Sequence, residues 1–139
     1  MSIFESAPPP WPGRMLAIFR IVAALIFMTA GTMIVFGYPP SPVPMPTFSF
    51  VTQTGIGGIL ELVGGLLIVV GFLTRPVAFI LAGEMAVAYF QFHYPSSFFP
   101  TVNQGVAAIL YCFLFLYLMV AGAGAWSIDA MIAGRRPRV

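Results

Sequence analysis

The residues in this sequence that could do chemistry are few, and most of them lie inside apolar runs. Glu61 and Glu84 are each flanked by Leu, Val, Gly, Ala or Met, and Arg20 stands well inside the first run. A charge surrounded by hydrocarbon is costly, so by default such residues mark a proton or ligand site. The same three groups could equally pair with one another to hold helices together. His93 is surrounded by Tyr89, Phe90, Phe92, Tyr94, Phe98 and Phe99. It reads either as a hydrogen-bonded anchor at an aromatic interface or as a proton donor or acceptor at a quinone headgroup. Gln91, Gln104 and Tyr111 complete the set of polar candidates.

Other chemistries are excluded. Cys112 is the lone cysteine, which rules out an intrachain disulfide and leaves it as a small packing residue. With one His and no clustered Cys, no metal site is expected. The sequence contains no G-x-x-x-x-G-K-[ST], H-E-x-x-H, C-x-x-C or G-x-S-x-G pattern, and no motif for a flavin, haem or iron–sulfur centre. Electrons would therefore need a partner protein. The Arg residues are single or terminal, with none of the clustering a nucleic-acid binder shows.

These residues must be positioned by elements suited to lipid. The 139-residue chain is 60% apolar and 7% charged, with no Lys, and its mean hydropathy is +0.98. A single water-soluble domain of this size cannot bury that much apolar surface. Four apolar segments, about 15–37, 53–73, 76–94 and 103–122, each match the roughly 20 residues that span a bilayer as a helix. They lack the alternation of barrel strands, so helices are the way to satisfy their backbone in lipid. The expectation is one all-α membrane domain over residues 1–139, a four-transmembrane-helix bundle. Residues 1–13 carry no positive charge and no small-residue cleavage site follows the first run, so that run reads as a retained anchor.

The connections carry the turn chemistry. Five prolines, from Pro39 to Pro46, exclude a helix between Tyr38 and Thr52 and favour an extended cap. Pro76 falls in the first turn of the third helix, where its missing N–H is harmless. After Gly122 and Gly124, Ser127 reads as the N-cap of a short interfacial helix, with Asp129 in its first turn and Trp126 at headgroup depth. Arg14, Arg75 and the terminal Arg135, Arg136 and Arg138 share one side, while the two longer connections contain no Arg. The positive-inside rule puts both termini in the cytoplasm.

Helical spacing groups the polar residues. On the second helix Gly57, Gly58, Gly64, Gly65 and Gly71 share an arc of about 140° with Glu61 near its centre, a face on which helix backbones can approach closely. Arg20, Ala24, Phe27 and Gly31 form a stripe on the first helix; Glu84, Ala88 and Gln91 do so on the third, and Gln104, Ala108, Tyr111 and Phe115 on the fourth. All four stripes are expected to face a common axis. Arg20 should then reach Glu61 and Glu84, and since one Arg balances one carboxylate, the other is expected to hold a proton.

The run Glu61-Leu62-Val63-Gly64-Gly65 through Gly71-Phe72-Leu73-Thr74-Arg75, then Ala82-Gly83-Glu84-Met85-Ala86-Val87-Ala88-Tyr89-Phe90 and His93, resembles the DoxX family. So do Arg20-Ile21 through Ala30-Gly31 and the closing Gly122 through Gly124 with Trp126-Ser127-Ile128-Asp129. Two departures stand out. Where many members carry a His-Gly-x-x-Lys pattern, this chain has Ala30-Gly31-Thr32-Met33-Ile34; where many carry Glu after Asn-x-Gly, Val106 follows Asn103-Gln104-Gly105. Any role of that Lys or Glu does not carry over.

The resemblance implies a bacterial inner-membrane accessory or anchor subunit of a redox complex, at most part of a quinone-linked oxidoreductase. Two other readings stay open: a purely structural or assembly subunit of a larger membrane complex, and a small-molecule or proton carrier built on the buried carboxylates.

Overall fold

The computed structural model describes residues 10–134, and among them every regular element is helical. Helix α1 spans Trp11–Phe36. Helix α2 spans Gln53–Val70 with a π-helical turn, Leu60–Gly64, in its middle. Helix α3 spans Thr74–Ala88 and continues into a second π-turn, Tyr89–His93. Helix α4 spans Val106–Ala121, and the short α5 spans Ile128–Gly134. Arg135, Arg136 and Arg138, which entered the orientation argument, lie outside the described residues.

Local chemistry sets these boundaries. Thr52 caps α2, its hydroxyl accepting from the Gly55 amide at 3.1 Å. Helix α2 stops at Gly71, whose φ of +66° suits a residue without Cβ and lets its amide and that of Phe72 close on Ile68 and Leu67. Helix α4 begins at Val106, later than the expected 103, because Asn103 takes the Gly105 amide at 2.7 Å and donates to the Ser97 carbonyl at 2.8 Å. The result is a 16-residue helix. Among the described residues, α1 and α2 are the helices both long and apolar enough to cross a membrane by themselves.

Helix α3 packs along α4, and α1 packs against α2. One core joins the four: Ala24 and Phe27 from α1, Ile68 from α2, Leu81 and Met85 from α3, and Phe115 from α4 among them. Phe27 meets Phe115 edge-on at 4.8 Å, a geometry aromatic rings favour. The outward faces are also apolar, with Ile18, Val22 and Ile26 on α1 and Leu110, Phe113 and Val120 on α4 all exposed. Apolar surface on both faces of a helix requires a solvent other than water on the outside.

The π-turn redistributes the α2 glycines. Gly58 and Gly65 face Ile34 and Met28 of α1, Gly64 faces Leu81 of α3, and Gly57 faces Glu84. Small residues thus do set close approaches, but to two neighbours instead of one axis. The tightest backbone crossing is at Gly31 of α1, where a Cβ would stand 2.7 Å from the Leu62 amide nitrogen and 2.8 Å from the Gly58 oxygen. Neither backbone atom can rotate away, so Gly31→Ala is expected to destabilise the fold by about 1–3 kcal/mol. Gly83, with nothing within 4 Å of its Cβ position, is the control: Gly83→Ala should stabilise by about 0.5–1 kcal/mol. Thermal unfolding in detergent measures both, and an undisturbed Gly31→Ala would contradict this crossing.

Candidate functional site

The polar candidates separate into two groups at opposite ends of the helices. Glu61, Glu84 and His93 line a cleft of about 860 Å³ walled by Ile34 of α1, the Pro-rich connection at Val43–Pro46, Gly57 and Leu60 of α2, and Met85 of α3. Each of the two π-turns contributes to it: Glu61 lies in the first and His93 in the second. An extra residue per turn re-aims the side chains that follow, and such turns recur at functional sites. This is a signal the helical spacing of the sequence cannot carry, since it assumes 100° per residue throughout.

Glu61 is 9% exposed, and Gly31 lets its helix lie directly on α1, with a Gly31 Cβ position 3.0 Å from the Glu61 Cβ. Glu84 reaches across from α3 so that its Oε1 lies 3.2 Å from where a Gly57 Cβ would be. Oε2 of Glu61 and Oε2 of Glu84 are both buried without a hydrogen-bond partner. Native interiors rarely leave such oxygens unpaired, so each marks a place for a proton or a ligand. His93 Nδ1 lies 3.0 Å from the Asn103 carbonyl oxygen. That oxygen can only accept, which places the hydrogen on Nδ1 and leaves Nε2 free to accept or carry a second proton.

The other candidates lie outside the cleft. Gln91 is exposed and accepts from the Gln53 amide, bridging the end of α3 to the start of α2. Gln104 is exposed, in a left-handed backbone conformation with φ +59°, and does not join the expected inward stripe of α4. Tyr111 donates to the Ala23 carbonyl at 3.4 Å and packs its ring on Phe27 and Phe115, a core role.

Arg20 is fully buried, yet it does not reach either glutamate as expected. Its guanidinium donates to Ile68 at 2.5 Å, to Val69, to Ala123 at 2.8 Å, to Trp126 at 3.0 Å and to Ala125 at 3.4 Å, all backbone carbonyls. The reason is the fork of five N–H donors, which matches the carbonyls of the last turn of α2 and of the segment after α4, at a helix C-terminus where a cation is also favoured. Glu61 lies seven residues earlier on α2, about 10 Å along the axis. The carboxylates are thus left without the counter-charge the sequence suggested.

Around Arg20 the tail is stitched to the α2–α3 turn. Asp129 accepts from the Leu73 and Thr74 amides, each at 2.9 Å, capping α3, while its own amide donates to the Gly71 carbonyl at 2.9 Å. Ser127 caps α5 as expected, its hydroxyl accepting from Ala130 at 3.1 Å. The capping role of Asp129 toward α3 was not legible in the sequence, because its 56-residue separation from Leu73 is closed only by the fold.

The DoxX family profile matches residues 15–94. A Haemophilus influenzae protein described as uncharacterized is 40% identical over 117 residues, which is 82% of this chain and 87% of that protein. The inner membrane protein YqjF of Escherichia coli is 34% identical over 122 residues, 81% of this chain and 88% of YqjF. No solved structure matches. The chain belongs to the DoxX family, and its apolar outer faces and two spanning-length helices are those of a membrane protein.

The Asp129 cap makes acid stability a readout. Burial by itself would raise this carboxyl, but the Thr74 and Leu73 hydrogen bonds and the Arg20 charge prevail and hold it below the ordinary Asp range. Its stabilisation is therefore complete above the unfolded value and is lost as pH falls through the folded one. Asp129→Asn should unfold at lower temperature than the native chain at neutral pH, and the gap should narrow progressively as the pH falls below the ordinary Asp value of about 3.9. A gap that stays constant with pH would argue against the cap.

Proposed function

We propose that this protein crosses the bacterial inner membrane four times with both termini cytoplasmic, and acts as an accessory or anchor subunit of a redox complex that offers the Glu61–Glu84–His93 cleft to a quinone headgroup. The observation that carries the reading is the cleft itself: an apolar-walled space of about 860 Å³ with two unpartnered carboxyl oxygens and an available imidazole nitrogen. Its size lies within the range of about 300–1,000 Å³ typical of small-molecule sites. Met85, Leu60 and Phe92 would flank a ring, His93 Nε2 and the carboxyl groups would exchange hydrogen bonds and protons with its oxygens, and a bound quinone would supply the redox chemistry. Since the sequence carries no recognisable motif for a flavin, haem or iron–sulfur centre, electrons on this reading would come from a partner.

The four-span reading is supported by the single core that all four helices share and by the placement of Arg14 and Arg75 at the end opposite the Pro-rich connection. The name of the Escherichia coli relative, an inner membrane protein, supports the compartment. Helix α4, at 16 residues, is short for about 30 Å of hydrocarbon, and local thinning or the turns at its ends would absorb the mismatch.

Two experiments test this. Protein purified from bacterial membranes in mild detergent should retain extractable quinone together with subunits of a redox complex, and His93→Ala or Glu61→Gln should reduce the retained quinone to background. Complete absence of quinone and redox partners from the native preparation would end the proposal. For topology, a cysteine placed at Pro44 should react with a membrane-impermeant maleimide from the periplasmic side of intact cells, while one at Ala133 should react only after permeabilisation. The reverse pattern would invert the orientation.

A further inference from the structure

The geometry points to the Glu61–Glu84 cleft as a binding site for a lipophilic organic monocation, taken up in exchange for a proton. This goes beyond the redox reading and does not rest on it, since a quinone is neutral and the charge of the cleft calls for a cation.

The case starts from charge balance within the cleft. Glu61 is contributed by α2, Glu84 by α3 and His93 by the turn that follows α3. The α1 wall and the Pro-rich connection add no titratable group to the lining, and no Arg belongs to it. Arg20, the nearest candidate for neutralising the pair, has its guanidinium committed to backbone carbonyls at the far end of α2. Two carboxyl groups in an apolar space cannot both stay charged without a partner, so without a cation beside them a proton takes that place. Oε2 of each is buried and without a hydrogen-bond partner in the protein, and Glu61 is 9% exposed, so each offers an acceptor to whatever enters the cleft.

The surroundings select the kind of cation. A metal ion needs a shell of several oxygen or nitrogen donors, and among the described residues no group of three such side chains is arranged to supply one. The walls are instead Ile34, Leu60, Met85 and Phe92. These bury an apolar body, and an aromatic ring face adds attraction for a delocalised positive charge. On binding, the carboxyl O–H bond breaks, its proton leaves to solvent, and the cation becomes the counter-ion, so the charge of the cleft is unchanged.

The test uses the full chain in nanodiscs of zwitterionic lipid, titrated calorimetrically with tetraphenylphosphonium in buffers of differing ionisation enthalpy. The expected result is saturable binding with release of about one proton per cation and an affinity that rises up to about tenfold per pH unit while the pair holds its proton. Neutral triphenylphosphine oxide should bind at least tenfold more weakly, and the Glu61→Gln/Glu84→Gln double variant should lose tenfold or more in phosphonium affinity. Equal affinity for the neutral compound, unchanged binding by the double variant, or binding without proton release would each overturn the proposal. If the double variant does not fold, the proton count on the native chain decides. Retained quinone without phosphonium binding would remove the cation site alone, and phosphonium binding without quinone would uphold the site while removing the redox reading.

Discussion

The fold depends on the way Arg20 finds its partners. In an apolar medium a buried guanidinium survives only when its donors are matched, and here the match is a set of carbonyls from the last turn of α2 and from the segment that follows α4. One side chain on α1 thereby fixes where α2 ends and where the chain must pass after α4. Asp129 completes the arrangement by capping α3 next to the same turn. These contacts tie all four long helices together at one end, although three of them are far apart in sequence.

The consequence is felt at the other end of the same helices. Because Arg20 is occupied, Glu61 and Glu84 face each other's surroundings without a counter-charge. The two ends divide the labour physically: at one, the Arg20 guanidinium and the Asp129 carboxylate are taken up by hydrogen bonds to backbone, and at the other, two carboxyl oxygens stand without partners in an apolar cleft. The π-turns belong to this second end. Each gives up regular helical hydrogen bonding locally to place one side chain, Glu61 or His93, on the wall of the cleft. Gly31 and Gly57 make the room, the first by admitting the α2 backbone and the second by leaving space for the Glu84 carboxylate.

Much of this was open to reading from composition and spacing. The helical class and the family follow from the apolar runs and from the motifs around Glu61 and Glu84, and the matched profile and relatives agree on the family. Ser127 as a cap and the glycine face of α2 as a packing surface were also legible, because both depend on neighbours within a turn or two. The inward stripe of Arg20, Ala24, Phe27 and Gly31 is buried as its spacing implies, whereas the partners of Arg20 and the positions of Gln91 and Gln104 differ from expectation. Their positions depend on where a helix starts, on which partner is nearest across the bundle, and on an irregular turn that shifts the phase of everything after it.

What the amino-acid order determines alone is the solvent each segment prefers and the identity of its few polar groups, since hydrophobicity, turn chemistry and helix periodicity act over short stretches of chain. Which polar groups meet is decided by tertiary structure. Two carboxylates and one guanidinium on neighbouring helices look like a charge cluster when only their spacing is known. The fold separates them, because backbone carbonyls at a helix terminus lie closer to Arg20 than either glutamate and satisfy more of its donors at once.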